Sequence, residues 1–141
     1  MAIYFADTSF WIGLSRKRDQ HHRNAVAWHQ LVIRTSSTIL TTEAVLLEWL
    51  NAMSKVSTRR TAAESCLRAR ADARIQVVLF DAELMLAATE FYRDRPDKNW
   101  SLTDCLSFVV MRRRSVTEAL TTDHDLEQAG LRALMLSLPS A

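Results

Sequence analysis

Short apolar runs alternate along the chain with longer segments in which apolar residues recur at helical spacing. The runs at 3–6, 38–41, 75–80 and 118–121 are typical of buried strands, and residues 133–138 are predicted to form a last strand. Because strands and helices alternate, the pattern predicts an α/β fold: a central, mainly parallel sheet of about five strands with helices on both faces. Such sheets present functional groups at the carboxyl ends of their strands.

The helical segments begin at residues that can cap a helix. Thr41 or Thr42 is expected to open the helix over 43–53, and Ser57 or Thr58 an arginine-rich helix that runs to residue 74. Further helices are predicted over 10–14, 25–33, 81–93, 101–114 and 123–129, the last of these closed by Gly130.

Length and composition indicate a single-domain protein that does not span a membrane. The chain has 141 residues, which we interpret as a single domain over 1–141. No apolar run approaches the roughly 20 residues that span a bilayer, and the first residues lack the pattern of a signal peptide, so we expect a cytoplasmic protein without a membrane anchor. Cys66 and Cys105 match no metal spacing and are expected to be reduced thiols.

The charge pattern is a weak indication of nucleic-acid binding. The net charge is only +2, yet the basic residues are mostly arginines, clustered at 55–74 and at 112–114. Arginine favours bidentate contacts with phosphate, although clusters like these usually form solvated helix faces.

Several acids occupy positions of interest. Asp7 and Asp123 each follow a predicted strand, where they could equally cap a turn or helix, while Asp81 is best explained as a helix cap. Glu48 falls within an apolar helix stripe, which is costly for an unpaired carboxylate. Asp104 follows Ser101 by three residues, as in a capping box, and also lies in a helix apolar enough to line the same strand edge.

Acids that converge on one edge need a counter-charge. Two carboxylates about 4 Å apart repel by roughly 4 kcal/mol at an effective dielectric near 20. Oxygen ligands without a cysteine or histidine set favour Mg²⁺ or Mn²⁺ over zinc, and such a site suits phosphodiester cleavage. The four histidines offer no rival arrangement, and no glycine-rich phosphate loop is present.

Four motifs occur in order: Asp-Thr-Ser beginning at Asp7, Thr-Thr-Glu-Ala-Val-Leu-Leu-Glu ending at Glu48, Trp-Ser-Leu-Thr-Asp-Cys around Asp104, and Leu-Thr-Thr-Asp ending at Asp123. In this order and spacing the chain resembles the PIN-domain family, in size especially the single-domain VapC-type toxins of bacterial toxin–antitoxin pairs. The resemblance covers essentially the whole chain.

The resemblance implies a PIN fold and endonucleolytic cleavage of RNA at a Mg²⁺ or Mn²⁺ site. Asp7, Glu48 and Asp104 match the family's invariant acids and Asp123 the more variable fourth, which Asp125 could share or replace. Thr8, Ser9 and Thr103 flank matched acids and could orient them, with helix capping the favoured role of Ser9. The resemblance also implies three partners: RNA, a second copy of the chain in a homodimer, and an antitoxin peptide that blocks the site.

Two other functions remain open at this point. One is a non-catalytic RNA-binding or regulatory PIN module that keeps the fold and the acids without cutting. The other is a phosphoryl-transfer hydrolase with Asp7 as the nucleophile, which is disfavoured because position 9 holds serine where that chemistry wants a second acid. The arginines of 58–74 and 112–114 are candidates for gripping the RNA backbone, with contacts that give affinity rather than sequence choice.

Overall fold

The computed structural model describes residues 2–140 and contains a five-stranded parallel sheet. Its strands are β1 (Ile3–Ala6), β2 (Thr38–Thr42), β3 (Ile75–Val78), β4 (Glu118–Leu120) and β5 (Arg132–Ala133). Their order across the sheet is β3-β2-β1-β4-β5, and every neighbouring pair is parallel. The predicted α/β class and strand number are confirmed.

The helices are α1 (Thr8–Ser15), α2 (His22–Arg34), α3 (Glu43–Ala52), α4 (Arg59–Ala71), α5 (Ala82–Asp94), α6 (Leu102–Arg113) and α7 (Asp125–Gln128). The connections through α1–α2 and α3–α4 step along the sheet in one direction, and those through α5–α6 and α7 step in the other. Since parallel crossovers are right-handed, the two groups of helices cover opposite faces of the sheet.

The core lies on both faces of the central strands. Phe5 of β1 and Leu40 of β2 are fully buried, and the rings of Trp11 and Trp49 stack with centroids 5.1 Å apart. Burying one side chain of this size contributes roughly 1.5–3 kcal/mol, so these contacts help to hold the helices against the sheet. Close helix packing also requires Gly13, where an added Cβ would lie 3.1 Å from the Ala25 Cβ.

Two strand predictions were wrong in extent. Residues 75–80 were predicted to form a strand covered on both faces, but β3 is an edge strand that ends at Val78, leaving Leu79 63% and Phe80 48% exposed. Residues 133–138 form little strand. After β5 the chain enters a 3-10 helix, Leu134–Leu136, because Met135 turns into the core and its N–H donates to the Thr121 carbonyl over 3.0 Å.

Three of the predicted helix caps are present, and one helix ends early. Thr42, Asp81 and Ser101 each accept a hydrogen bond from the third residue of the helix they open. The arginine-rich helix ends at Ala71, three residues before its predicted end. Both cysteines are free and buried. Among residues 2–140, the helices are all too short or too polar to cross a membrane.

Candidate active site

The candidate site lies between β1 and β4, where the chain connections change direction along the sheet. Strands β1 and β4 are neighbours at the centre of the sheet, but the chain leaves β1 toward β2 and leaves β4 toward β5. A crevice forms at the carboxyl ends of strands at such a switch point. The N–H of Asp7 donates to the Leu120 carbonyl over 3.2 Å, which holds the two strand ends together and places Asp7 at this switch point.

Asp7 is a buried carboxylate without a cation. It occupies the position before α1, but its side chain makes no capping bond; instead Oδ2 accepts from the Thr121 hydroxyl over 2.9 Å. The side chain is only 8% exposed. Burial, with a smaller contribution from the charges of Asp104 and Glu48, raises the pKa of Asp7 to about 6 despite the lowering effect of its hydrogen bonds.

Glu48 reaches the same region from the second turn of α3. The side chain is half-buried, and its Oε1 accepts from the Thr8 hydroxyl over 2.7 Å. This bond joins α3 to the residue directly after Asp7. The predicted conflict between a charge and an apolar stripe is thereby eased, because the carboxylate turns toward the strand edge.

Asp104 enters from the first turn of α6. Its backbone N–H donates to Ser101 Oγ, and its Oδ2 accepts from the Ser101 N–H, both over 3.0 Å. The capping box predicted from the sequence is therefore present, and it fixes the carboxylate at the helix start. Burial raises the pKa of Asp104, and the charges of Asp123 and Glu48 add to this. Asp104 therefore caps α6 and also lies near the other acids.

Asp123 and Asp125 follow β4 and are half-buried. Asp123 Oδ1 accepts from the Asp125 N–H over 2.9 Å, which closes a local turn before α7. Since the charge of Asp123 acts on Asp104, Asp123 belongs to the acid cluster, which we define as Asp7, Glu48, Asp104 and Asp123.

Thr121 is a central residue that sequence reasoning missed. Its hydroxyl donates to Asp7 and accepts from the Asp123 N–H over 3.2 Å. Ser9 Oγ lies 3.2 Å from Thr121 Oγ1 and accepts from the Thr122 N–H, so Ser9 supports this network and the prediction of a capping role was wrong. Since the Thr121 proton goes to Asp7, Ser9 is the donor between the two hydroxyls. Thr121 lies in the Leu-Thr-Thr-Asp motif, which was the available signal.

The acid cluster lacks protein cations. Within the described part of the chain, none of its four carboxylates forms an ion pair with Lys, Arg or His. Nor do three His, Cys, Asp or Glu side chains there come close enough to form a ready-made metal site. The hydrogen bonds above use one oxygen of each carboxylate, so the second oxygens of Glu48, Asp104 and Asp123 remain as hard donors. This donor set fits Mg²⁺ or Mn²⁺ chemically.

Some arginines of the two clusters pair with acids outside the acid cluster. Arg70 forms a bidentate pair with Glu43 over 2.6 and 2.5 Å, and Arg113 pairs with Glu83 over 3.3 Å. The arginines of 112–114 close α6 about 15 Å from its start, by the rise of 1.5 Å per residue, and so lie at the far end of the helix from Asp104.

Comparisons with known proteins identify the family. A family model described as the PIN domain matches residues 4–131, and the chain belongs to that family. It is 29% identical over 129 residues to the 23S rRNA-specific endonuclease VapC20 of Mycobacterium tuberculosis, covering 91% of this chain and 95% of the relative.

Solved structures give the same result. The crystal structure of M. tuberculosis VapC20, described as a Sarcin-Ricin loop cleaving toxin, aligns with a TM-score of 0.79 and 28% identity over 92% of this chain and 96% of that one. VapBC2 from Rickettsia felis, bound to a promoter DNA fragment, aligns with a TM-score of 0.65 and 17% identity over 89% and 92%, a likeness of fold alone. The predicted PIN fold and the resemblance to VapC ribonuclease toxins are confirmed.

Proposed function

We propose that this protein is a metal-dependent endoribonuclease that hydrolyses RNA phosphodiester bonds as the toxin of a toxin–antitoxin pair. The observation that carries the proposal is Asp7: a buried acid at the switch point, its pKa raised to about 6 by burial and by neighbouring acids, with no protein cation beside it among residues 2–140. A structural cap would not need this cluster. A divalent cation would offset its charge repulsion.

Asp7, Glu48, Asp104 and Asp123 are the residues we assign to hold Mg²⁺ or Mn²⁺, with Asp125 positioned to support Asp123. A bound divalent ion supplies neutralisation of phosphate charge and lowers the pKa of an attacking water. The protein groups orient the ligands: Thr121 holds Asp7, Thr8 holds Glu48, and Ser101 holds Asp104. Acids fixed before substrate arrives lose little freedom in the transition state.

Ribosomal RNA is the substrate class we put forward. The relatives described as acting on 23S rRNA and the Sarcin-Ricin loop match over nearly their full length. An exposed RNA loop presents unpaired bases that a protein can read, whereas paired RNA presents its bases poorly to proteins.

A homodimer and an antitoxin are proposed as protein partners. Leu79 and Phe80 after β3 and Leu86 on α5 are 48–63% exposed, which supports a protein interface in this region. Light scattering of the purified chain tests for the dimer. Co-purification with the protein encoded by the adjacent reading frame tests for the antitoxin.

Asp7→Asn and Asp104→Asn test the central proposal. Asparagine keeps an acceptor for Thr121 and for the Ser101 N–H, so folding should persist, whereas RNA cleavage with Mg²⁺ or Mn²⁺ should fall at least a hundredfold. Glu90→Gln, an exposed acid on α5, is the matched control and should cleave normally. Unchanged cleavage by both site variants would refute the assignment. RNA binding by the wild type without products under any divalent ion would favour the non-catalytic module.

A further inference from the structure

A cavity of about 910 Å³ lies outside the acid cluster, along α5 and the loop that joins it to α6. Its lining includes Arg93, Arg95, Lys98, Trp100 and Ser101. The sequence predicts no more here than a connection between the helices at 81–93 and 101–114. The structure gives it a packed aromatic floor and a basic rim.

Trp100 forms the floor and holds an unsatisfied polar group. The side chain is 5% exposed and packs against Phe91 and Phe108, with ring centroids 5.9 and 4.8 Å away. Its indole Nε1 is the one buried side-chain nitrogen or oxygen in residues 2–140 that lacks a hydrogen-bond partner. Buried donors nearly always have an acceptor in native proteins, so this N–H indicates an acceptor supplied from outside the chain.

The rim carries positive charge. The Arg95 guanidinium lies 4.9 Å and the Lys98 ammonium 6.0 Å from the centroid of the Trp100 ring. Both cations share one exposed acid, Asp97, over 3.4 and 3.9 Å. Exposed pairs of this length are weak and are readily exchanged for a stronger anion. Across 93–98 three cations face two acids, which leaves net positive charge.

The cavity adjoins the acid cluster through Ser101. This residue lines the cavity and exchanges two hydrogen bonds of 3.0 Å with Asp104. A polymer that is cut at the acids therefore passes this rim. A polyanion fits it, because the acids themselves repel phosphate and need cations nearby to retain the strand.

We propose that Arg95, Lys98 and the Trp100 N–H form a phosphate-binding subsite for the RNA strand beside the scissile bond. This rests on the proposed function and adds the residues that hold the substrate. Arg95 and Lys98 exchange Asp97 for a backbone phosphate. Trp100 lines the same cavity, so its N–H, at the edge of the indole, donates to an oxygen of that phosphate.

The test uses full-length protein carrying Asp7→Asn, so that RNA is bound but not cut. Anisotropy of a labelled single-stranded oligoribonucleotide of mixed sequence gives the affinity over a series of salt concentrations. With Arg95→Gln and Lys98→Gln together, the slope of log affinity against log salt should become shallower by about 1. The matched control, Lys17→Gln with Arg18→Gln, removes the same charges beyond the end of α1 opposite Asp7 and should leave the slope unchanged.

Trp100→Phe separates the N–H from the charges. It keeps the aromatic floor, and should weaken binding about tenfold, as for a lost bond to a charged group, with the salt slope unchanged. Thermal melting confirms that the variant folds. Equal slopes for the rim and control variants, or full affinity in Trp100→Phe, would overturn the subsite. RNA cleavage by the unmodified protein, measured in parallel, shows whether the proposed function stands when the subsite fails.

Discussion

The hydroxyl of Thr121 donates a hydrogen bond to Oδ2 of Asp7 over 2.9 Å, so the residue after β4 holds the acid after β1. The two strands pair in register, Ala6 with Leu120, and the next residue of each meets across the switch point. The bond lowers the pKa of Asp7 against the rise caused by burial. Thr121 thus favours the ionised carboxylate that a metal ligand requires.

Replacing Thr121 with valine should slow RNA cleavage. The change keeps the shape and removes the hydroxyl, so the pKa of Asp7 should rise above about 6 and protons should compete better with metal. We expect kcat/KM near neutral pH to fall about tenfold, the value of one charged hydrogen bond, with the acid limb of the pH profile moved to higher pH. Thr61→Val, an exposed threonine of α4, should change neither. An unmoved acid limb would contradict this role for Thr121.

Asp7 should make the metal-free protein less stable as pH rises. The folded state keeps a proton on Asp7 that the unfolded state has already lost, so stability should fall between pH near 4 and pH near 6 and stay low above that. A rise in pKa from 3.8 to about 6 corresponds to a loss of about 3 kcal/mol.

Urea unfolding in EDTA at several pH values measures this dependence. The chain with Asp7→Asn should be more stable than the wild type at neutral pH, and the difference should vanish below pH near 4. The expectation would be wrong if the wild type became more stable, relative to the asparagine variant, as the pH rises from near 4 to near 6.

A bound divalent ion should offset the repulsion within the acid cluster and so raise the free energy of unfolding. Mg²⁺ or Mn²⁺ at about a hundred times its dissociation constant would add roughly 2.7 kcal/mol, enough to raise the melting temperature by several degrees. Calorimetry at neutral pH with and without the ion measures the shift. The double variant Asp7→Asn with Asp104→Asn should show almost none. An equal shift in that variant would place the ion elsewhere.

The sequence predicted where helices begin better than where each strand lies in the sheet. Helix starts at Thr42, Asp81 and Ser101 follow from short-range capping bonds and were therefore predictable. The apolar run at 75–80 did not reveal that β3 lies at an edge, because strand order depends on distant crossovers.

The candidate site shows the same division. Its acids were identified by their motifs and, for Asp7 and Asp123, by their positions after strands, both of which are local properties. The Thr121–Asp7 bond joins residues 114 positions apart, and depends on how β1 and β4 align. The rim at Arg95 and Lys98 also depends on tertiary packing, since Trp100 gives it a floor only once Phe91 and Phe108 come together.

The fourth acid can be assigned by comparing Asp123→Asn with Asp125→Asn. Asp123 acts on Asp104 through its charge, whereas the described bond of Asp125 is a backbone N–H donated to Asp123 Oδ1 over 2.9 Å. Asparagine at 125 preserves that N–H, so we expect only a few-fold loss of cleavage. Asparagine at 123 removes a charge from the acid cluster and should cost ten- to a hundredfold, partly recovered at high Mn²⁺. Cleavage rates over a Mn²⁺ titration measure both effects, and a larger loss at 125 would reverse the assignment.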